Sequence, residues 1–488
     1  MKQSSFNQFK TNSIFVYSFT ILFFVFVTVQ FCQSSKNPIN KNVGWEQLPK
    51  ILKNIKAPVF PAKNFDVTKF GAVADENFDS RPAIQKAISE CSKTGGGRVV
   101  VPKGNYFVKG PIKLMNNVNL HLEDGVVIKF STNPDDYLPV VFTRWEGIEC
   151  YNYSALIYAN GQKNIAVTGK GTFDGQATYS NWWSWKGGRP VNKDEKKLSQ
   201  LDPIGRPLLV KMNTEKTPVQ NRIFGKRHFL RPNFVQLLKC KNILLEDVTF
   251  LNSPMWVLHP LLSQNVTIKN VSTIGEGPNT DGCDPESCKD VLIKNCFFKN
   301  GDDCIAIKSG RNNDGRRVNV PSKNIIVQDC HMKDGHGGVS IGSEVSGGCK
   351  NVFVENCEMD SPKLDRAIRV KANTFRGGWI ENLFVRNITV GEVGDAVIHF
   401  DMKYEPKEGK DGGFLPVWKN IDIRNVSSKK SNQAFYMVGL ENSKIKNISI
   451  ENCNFDGVAK DATIENVKKL SLKNVFVNGK LFTMEKDQ

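Results

Sequence analysis

The sequence predicts an all-β protein, a single-stranded parallel β-helix with one helix closing its N-terminal end. Three observations predict this fold. A phrase of the form Asn-apolar-x-apolar-x-Asn-apolar recurs, at Lys163-Asn-Ile-Ala-Val, Lys241-Asn-Ile-Leu-Leu, Gln264-Asn-Val-Thr-Ile and on through Lys446-Asn-Ile-Ser-Ile. From Asn242 onward the copies lie roughly 22 to 38 residues apart, the excess reading as loops. No helical periodicity falls between them, so each copy supplies a short strand of one coil. Leucine-rich repeats would carry their own leucine frame, and ankyrin or TPR repeats would carry helices.

In chain order, Lys2 and Lys10 precede an apolar stretch from Ile14 to Phe31, the pattern of a secretory leader over residues 1–35. Its length also permits a membrane anchor. Cys32 could be a lipid attachment site, although Phe31 before it fits a lipoprotein signal poorly. The expected location is secreted or periplasmic, with lipid anchoring through Cys32 as the variant. Residues 36–61 read as a polar linker, and 62–485 as the β-helix, opened by Phe65-Asp-Val-Thr-Lys-Phe-Gly-Ala. One helix follows. Asp79 or Ser80 can cap it, Pro82 suits its first turn, and Ala83, Ile84, Ala87, Ile88 and Cys91 form an apolar stripe. Gly95-Gly96-Gly97 stops it. Such a helix covers the open end of a solenoid, where bare strand edges invite aggregation.

The recurrent asparagine is expected at a turn, its amide bonding along the stack. This frame explains five glycosylation sequons, at Asn265, Asn270, Asn387, Asn425 and Asn447. They arise because the repeat sets Asn before Ile or Val and then Ser or Thr, and they read as structural turns. Cysteine follows the same frame. Cys296, Cys330, Cys357 and Cys453 occupy one slot of the phrase and are expected to stack as small buried hydrophobes, although twelve cysteines in an exported chain would ordinarily suggest disulfides. Cys283 and Cys288 are close enough in sequence to pair, but the balance lies against it.

The formal net charge of +17 suits an anionic polymer, whether nucleic acid, anionic lipid or a polyuronide. No lysine/arginine run or nucleic-acid motif accompanies it, so charge alone does not choose. One segment, about residues 176–233, breaks the repeat and carries Trp182, Trp183, Trp185, Lys186, Arg189, Arg206, Arg222, Arg227, His228 and Arg231. Aromatic faces beside cations suit a charged sugar polymer; a loop packing its tryptophans on the barrel explains the composition equally well.

Pro278 to Ser309 is the chemical centre. It holds Asp281, Asp284, Asp302 and Asp303, with a strand pattern between the two clusters. Asp-Gly is a common turn dipeptide, which would account for a lone Asp281. Asp302-Asp303 differs, because it enters the apolar run Cys304-Ile-Ala-Ile, where charge is costly. Asp281 and Asp302 are 21 residues apart, so one coil of about that length brings both to one side, with coils ~4.8 Å apart. Crowded carboxylates cannot all ionise freely, and one protonated beside one ionised carboxyl is what glycosidic hydrolysis requires. Counting onward, Asp290 to Asp302 and Asn324 to His336 are both 12 residues. Gly335-His336-Gly337 therefore overlays Gly301-Asp302-Asp303. In the next coil, alternation sets Arg369 and Lys371 outward if Ile368 and Val370 point in, either as a solvated face or as the holder of a substrate carboxylate.

Asn279-Thr-Asp281, Gly301-Asp302-Asp303, Gly335-His336-Gly337 and Arg369-Val-Lys371 together resemble the four ordered motifs of polygalacturonases, glycoside hydrolase family 28, with a bacterial exo-type flavour. The resemblance covers roughly residues 60 to 480; Val370 stands where the family usually has Ile. It implies a right-handed β-helix and inverting hydrolysis of α-1,4-linked galacturonate, endo or exo undecided with a lean to exo. It also implies Asp302 as general acid, Asp281 and Asp303 as activators of water, His336 as keeper of the acid's working state, and Asn279, Arg369 and Lys371 as substrate-binding residues. No metal or cofactor is expected. The implied partner is polygalacturonate or pectic oligomers, not nucleic acid, and not membrane beyond a leader or lipid anchor; the chain is expected to act as a monomer. A calcium-dependent pectate lyase-like enzyme and a non-catalytic polysaccharide-binding β-helix are the alternatives on the same coils; the Asp–Asp–His column speaks against both.

Overall fold

A computed structural model describes residues 44–188, 199–404 and 411–483. The leader, Cys32 and Arg189 lie outside the described residues. Parallel strands dominate, and each phrase of the repeat is one rung. Ile165, Ile243, Val266, Val291, Ile325 and Val352 stand in register along one interior column. Their neighbours two residues on form a second. Burial of these columns drives the winding, because a single coil has no second layer to cover its apolar face.

The asparagines close the turns as anticipated. The first Asn or Asp of each phrase from Asn164 to Asn447 is left-handed, with φ between 54° and 66°. That conformation is the one a short amide side chain tolerates best after glycine. Each amide donates to the equivalent residue of the preceding coil. Asn351 to Asn324 spans 3.0 Å, Asn382 to Asn351 2.9 Å, Asn420 to Asn382 3.1 Å and Asn447 to Asn420 3.0 Å. All five sequon asparagines are held in such ladders. Cysteine behaves as expected too. Cys296, Cys330 and Cys357 are successive members of one buried column, and Cys283 and Cys288 are both free and buried.

Four α-helices are described: α1 (Leu48–Asn54), α2 (Arg81–Lys93), α3 (Arg206–Thr214) and α4 (Asn312–Val318). α2 is the expected cap. All five residues of its stripe are buried, Asp79 Oδ1 accepts from the Arg81 amide at 3.1 Å, and Gly95 to Gly97 turn the chain with positive φ. α1 corrects the reading of 36–61 as a linker. From residue 44 onward the segment is a strap, with Leu48 and Ile51 seated on Ile326, Phe353 and Phe384 of three successive coils. These three side chains face outward, so the strap covers apolar surface the coil cannot bury itself. Nor is α2 the one helix: α3 and α4 sit in long inter-strand loops. An antiparallel hairpin, Val141–Trp145 with Ile148–Asn152, is a further departure from the parallel plan. No described helix is long and apolar enough to cross a membrane.

Candidate active site

The face that matters is built from short strands, Leu258–Leu261, Ile305–Ile307, Val339–Gly342, Ile368–Lys371 and Ala396–Asp401, with Cys283 bridging the first two. Ile305 pairs with Val339 and Ala306 with Ser340, as counting from the repeat start requires. Val339 then pairs with Ile368, which puts Ser340 beside Arg369 and Gly342 beside Lys371. Ile305, Ile307, Val339, Ile341, Ile368 and Val370 point into the core, so the alternate residues all project to the outside of this face.

Backbone details hold the acids in place. The Thr280 hydroxyl donates to Gly275 O and Gly277 O, at 2.9 and 2.7 Å, and accepts from the Gly301 amide at 3.0 Å. One side chain thus ties the turn before Asp281 to the turn before Asp302. Gly301 sits where a Cβ would lie 2.2 Å from Gly277 O, and Gly337 where a Cβ would lie 2.8 Å from the Asp303 carboxylate. Both positions demand glycine.

Asp281, Asp302 and Asp303 converge, with one oxygen from each lying within 4.8 Å of the others. His336 stands one coil away, its Nδ1 3.1 Å from Asp302 Oδ1. The Asn279 amide donates to Asp302 Oδ2 at 3.4 Å, and Arg231 Nη2 donates to Asn279 Oδ1 at 2.8 Å. Asp303 is held hardest: Ser340 Oγ donates at 2.9 Å, Arg369 Nη1 at 3.1 Å and Lys371 Nζ at 2.6 Å. Arg369 and Lys371 are each only 6 % exposed, so they are not a solvated face. Both are engaged by Asp303, a partner that neither sequence reading, solvated face or holder of a substrate carboxylate, gives them. Three oxygens this close could cradle a cation. Arg369, Lys371 and Lys308 already present positive charge to them.

These contacts separate the three acids electrically. Burial works to raise all three. For Asp303 the charges of Lys371 and Arg369 outweigh it and hold the group far below the usual carboxylate range. For Asp302 the hydrogen bond and charge of His336 outweigh it and lower its pKa. Asp281 goes the other way, pushed up to about 7 by burial and the neighbouring Asp302 charge. Its hydrogen bond to Asp302 lifts His336 to about 9. These contacts favour ionised Asp302 and Asp303, with protons available on His336 and near Asp281.

The surrounding cavity encloses about 560 Å³. The 176–233 insertion divides between its two readings. Trp182 is buried against Tyr137 and Trp185, purely as packing. Trp183, Lys186 and Arg206 line the cavity instead, Arg231 supports Asn279 from below, and Arg222 is buried against Asp314. Arg227 and His228 do not line it. Several lining groups escaped the sequence reading. Glu146, at the hairpin tip, accepts from Arg206 at 2.7 Å and Arg311 at 2.9 Å. Tyr404 carries Arg369 and Lys371 over its ring, each at 5.5 Å. Lys308 lies 3.5 Å from Asp281, 3.4 Å from Asp284 and 3.4 Å from Glu344. Its signal was its place: it occupies the strand position that Gly342 and Lys371 occupy in the next two coils.

Residues 224–475 match the family model described as glycosyl hydrolases family 28, and residues 64–128 match rhamnogalacturonase A/epimerase, pectate lyase-like. The fold is similar to the crystal structure of a hyperthermoactive exopolygalacturonase from Thermotoga maritima. The sequences are 41% identical, with a TM-score of 0.84 and coverage of 89% of this chain and 97% of that one. A probable polygalacturonase of Vitis vinifera is 27% identical over 418 residues, 82% of this chain and 75% of the relative. An endo-polygalacturonase of Pectobacterium carotovorum subsp. carotovorum is 28% identical over 359 residues, 71% and 77% of the two chains.

Proposed function

The chain belongs to glycosyl hydrolase family 28, and from that premise we propose that it hydrolyses the α-1,4 linkage of polygalacturonate from chain ends, with inversion. The observation that carries this reading is the Asp281–Asp302–Asp303 cluster with His336 on Asp302. Asp302 gives its proton to the leaving oxygen. That proton comes from His336: a shift along the 3.1 Å bond from Nδ1 to Oδ1 converts an imidazolium–carboxylate pair into a neutral imidazole and a carboxylic acid. Asp281 and Asp303 hold the attacking water. Asp281, with the higher pKa, takes its proton, since a base held far down is weak. Arg369, Lys371 and Asn279 hold the sugar; a galacturonate carboxylate shares the two cations with Asp303 through charge-assisted bonds.

Attack at chain ends is supported by the cavity's wall, formed by Glu146 at the hairpin tip with Lys186 and Arg206 from the insertion, and by the likeness to the Thermotoga maritima exopolygalacturonase. Inversion rests on family membership. Carboxyl groups of inverting glycosidases usually stand about 6.5–9.5 Å apart, farther than the nearest oxygens here. One digestion decides all of this. Polygalacturonate treated in the presence of chelator should release monomer or dimer from the outset, without an unsaturated ultraviolet-absorbing product, and proton NMR should show the new reducing end first as the β-anomer. Early mixed oligomers would overturn chain-end attack, and an α-anomer would overturn inversion. Loss of activity on chelation, restored by calcium, would overturn the hydrolase itself.

Export and action as a monomer belong to the same proposal. Lys2 and Lys10 ahead of the Ile14–Phe31 stretch support a leader, and Cys32 offers a lipid site. Mass measurement of the mature N-terminus and light scattering of the purified protein test the two.

A further inference from the structure

Lys308 is a nearly buried ammonium at the cavity wall beneath the catalytic acids, 3 % exposed, ion-paired to Asp281, Asp284 and Glu344 and 4.6 Å from the centre of the Trp256 ring. Asp284 is entirely buried, and beyond the Lys308 ion pair neither of its oxygens has a hydrogen-bond partner. Asp281 Oδ1 is likewise without one. Buried carboxylate oxygens without hydrogen-bond donors are costly unless one of the two groups becomes a donor. A proton on Asp284 turned toward Asp281 satisfies one oxygen of each.

Building on the proposed hydrolase, we propose that Lys308 and Asp284 are positioning residues for the water-activating Asp281. Lys308 keeps Asp281 ionised, and Asp284 stays neutral and donates a hydrogen bond to it. The charges around Asp281 fit this division. Lys308 and Lys371 face it from two strands of this sheet, and Arg231 from the insertion. Asp302 and Asp303 oppose them from the next coil, and Glu344 pairs with Lys308. Burial drives Asp284 well above the carboxylate range, with the Asp281 charge adding to it, consistent with a retained proton. A lysine at 308 therefore sets the charge of the base from the cavity wall.

The test is the pH profile of kcat/KM on a galacturonate oligomer that the wild type cleaves, together with thermal melting. Lys308→Met should move the acid limb to higher pH by about one unit, about tenfold less kcat/KM below the limb, with KM near normal. Lys308→Gln should do the same. Asp284→Asn mimics the neutral acid and should leave the limb in place. A merely structural Lys308 predicts lower melting temperature with an unmoved limb, which overturns the proposal. A downward limb shift in Asp284→Asn would mean that Asp284 is ionised, and would overturn it also, even if both Lys308 variants fail to fold. A wild type that cleaves no galacturonate oligomer would instead overturn the proposed function.

Discussion

At the scale of single residues, protonation follows from who touches whom. Asp302 has one exposed partner, His336, and that pair is the proton donor of the proposed reaction. Asp302→Asn should lower kcat about 10²–10⁴-fold while circular dichroism and melting remain near normal. Near-normal turnover would remove Asp302 from its role. His336, lifted to about 9, is charged below that pH and neutral above it. kcat/KM should therefore decline as pH rises through about 9, and in His336→Gln this alkaline limb should move or vanish; an unaltered limb would separate His336 from proton supply. The stability sign is the same. A raised imidazole contributes below its unfolded value of about 6.5 and loses that contribution as pH rises through about 9. The Asp302–His336 contact was legible in sequence because two equal intervals of 12 residues place it. Lys308 carried only the signal of its strand position, because a lysine alternating outward looks solvated until one turn brings Asp281 and Asp284, and another coil Glu344, over it.

Among the elements, the turn ladder has the clearest test. Asn382 is 1 % exposed, has φ of 66°, donates to Asn351 and accepts from Asn420. Asn382→Ala removes both bonds and puts a β-carbon in the left-handed region, costing about 2–5 kcal/mol by the usual penalties for orphaned buried groups and for that backbone. Asn382→Gly keeps the backbone comfortable and should recover about 1–2 kcal/mol of it in denaturant titration. Equal destabilisation by both would mean that the turn conformation contributes nothing. The repeat phrase announced these strands and turns because each is local. α1 was hidden because it is short. α1 is seven residues long, with Pro49 near its start and only Leu48 and Ile51 fully buried, too little for a periodic signal. What should have revealed it was the outer face of the strands, where Ile326, Phe353 and Phe384 stack with nothing in the repeat to cover them.

For the molecule as a whole, a solenoid's weakness is that each coil meets only its neighbours. The strap offsets this by touching several coils at once. Besides the α1 contacts, Trp45 lies edge-on to Phe353, beside Phe384 and under the Arg386 guanidinium at 3.9 Å. Leu48→Ala should cost about 2–5 kcal/mol, read as a lower denaturation midpoint. If the strap also couples the coils, its removal should broaden the transition, whereas an unchanged width would make it a local patch. The thiols inside the same cylinder give that experiment its reporter. Eleven described cysteines, from Cys91 at the cap to Cys453 near the last coil, are free and buried, and burial pushes Cys91 and Cys453 up to about 11 and Cys349 to about 12. These eleven thiols should be shielded from alkylating reagents in the native protein, and each of them that reacts marks a part of the fold that has opened. A timed alkylation followed by peptide mapping would read the solenoid like a tape, showing from which end it unwinds.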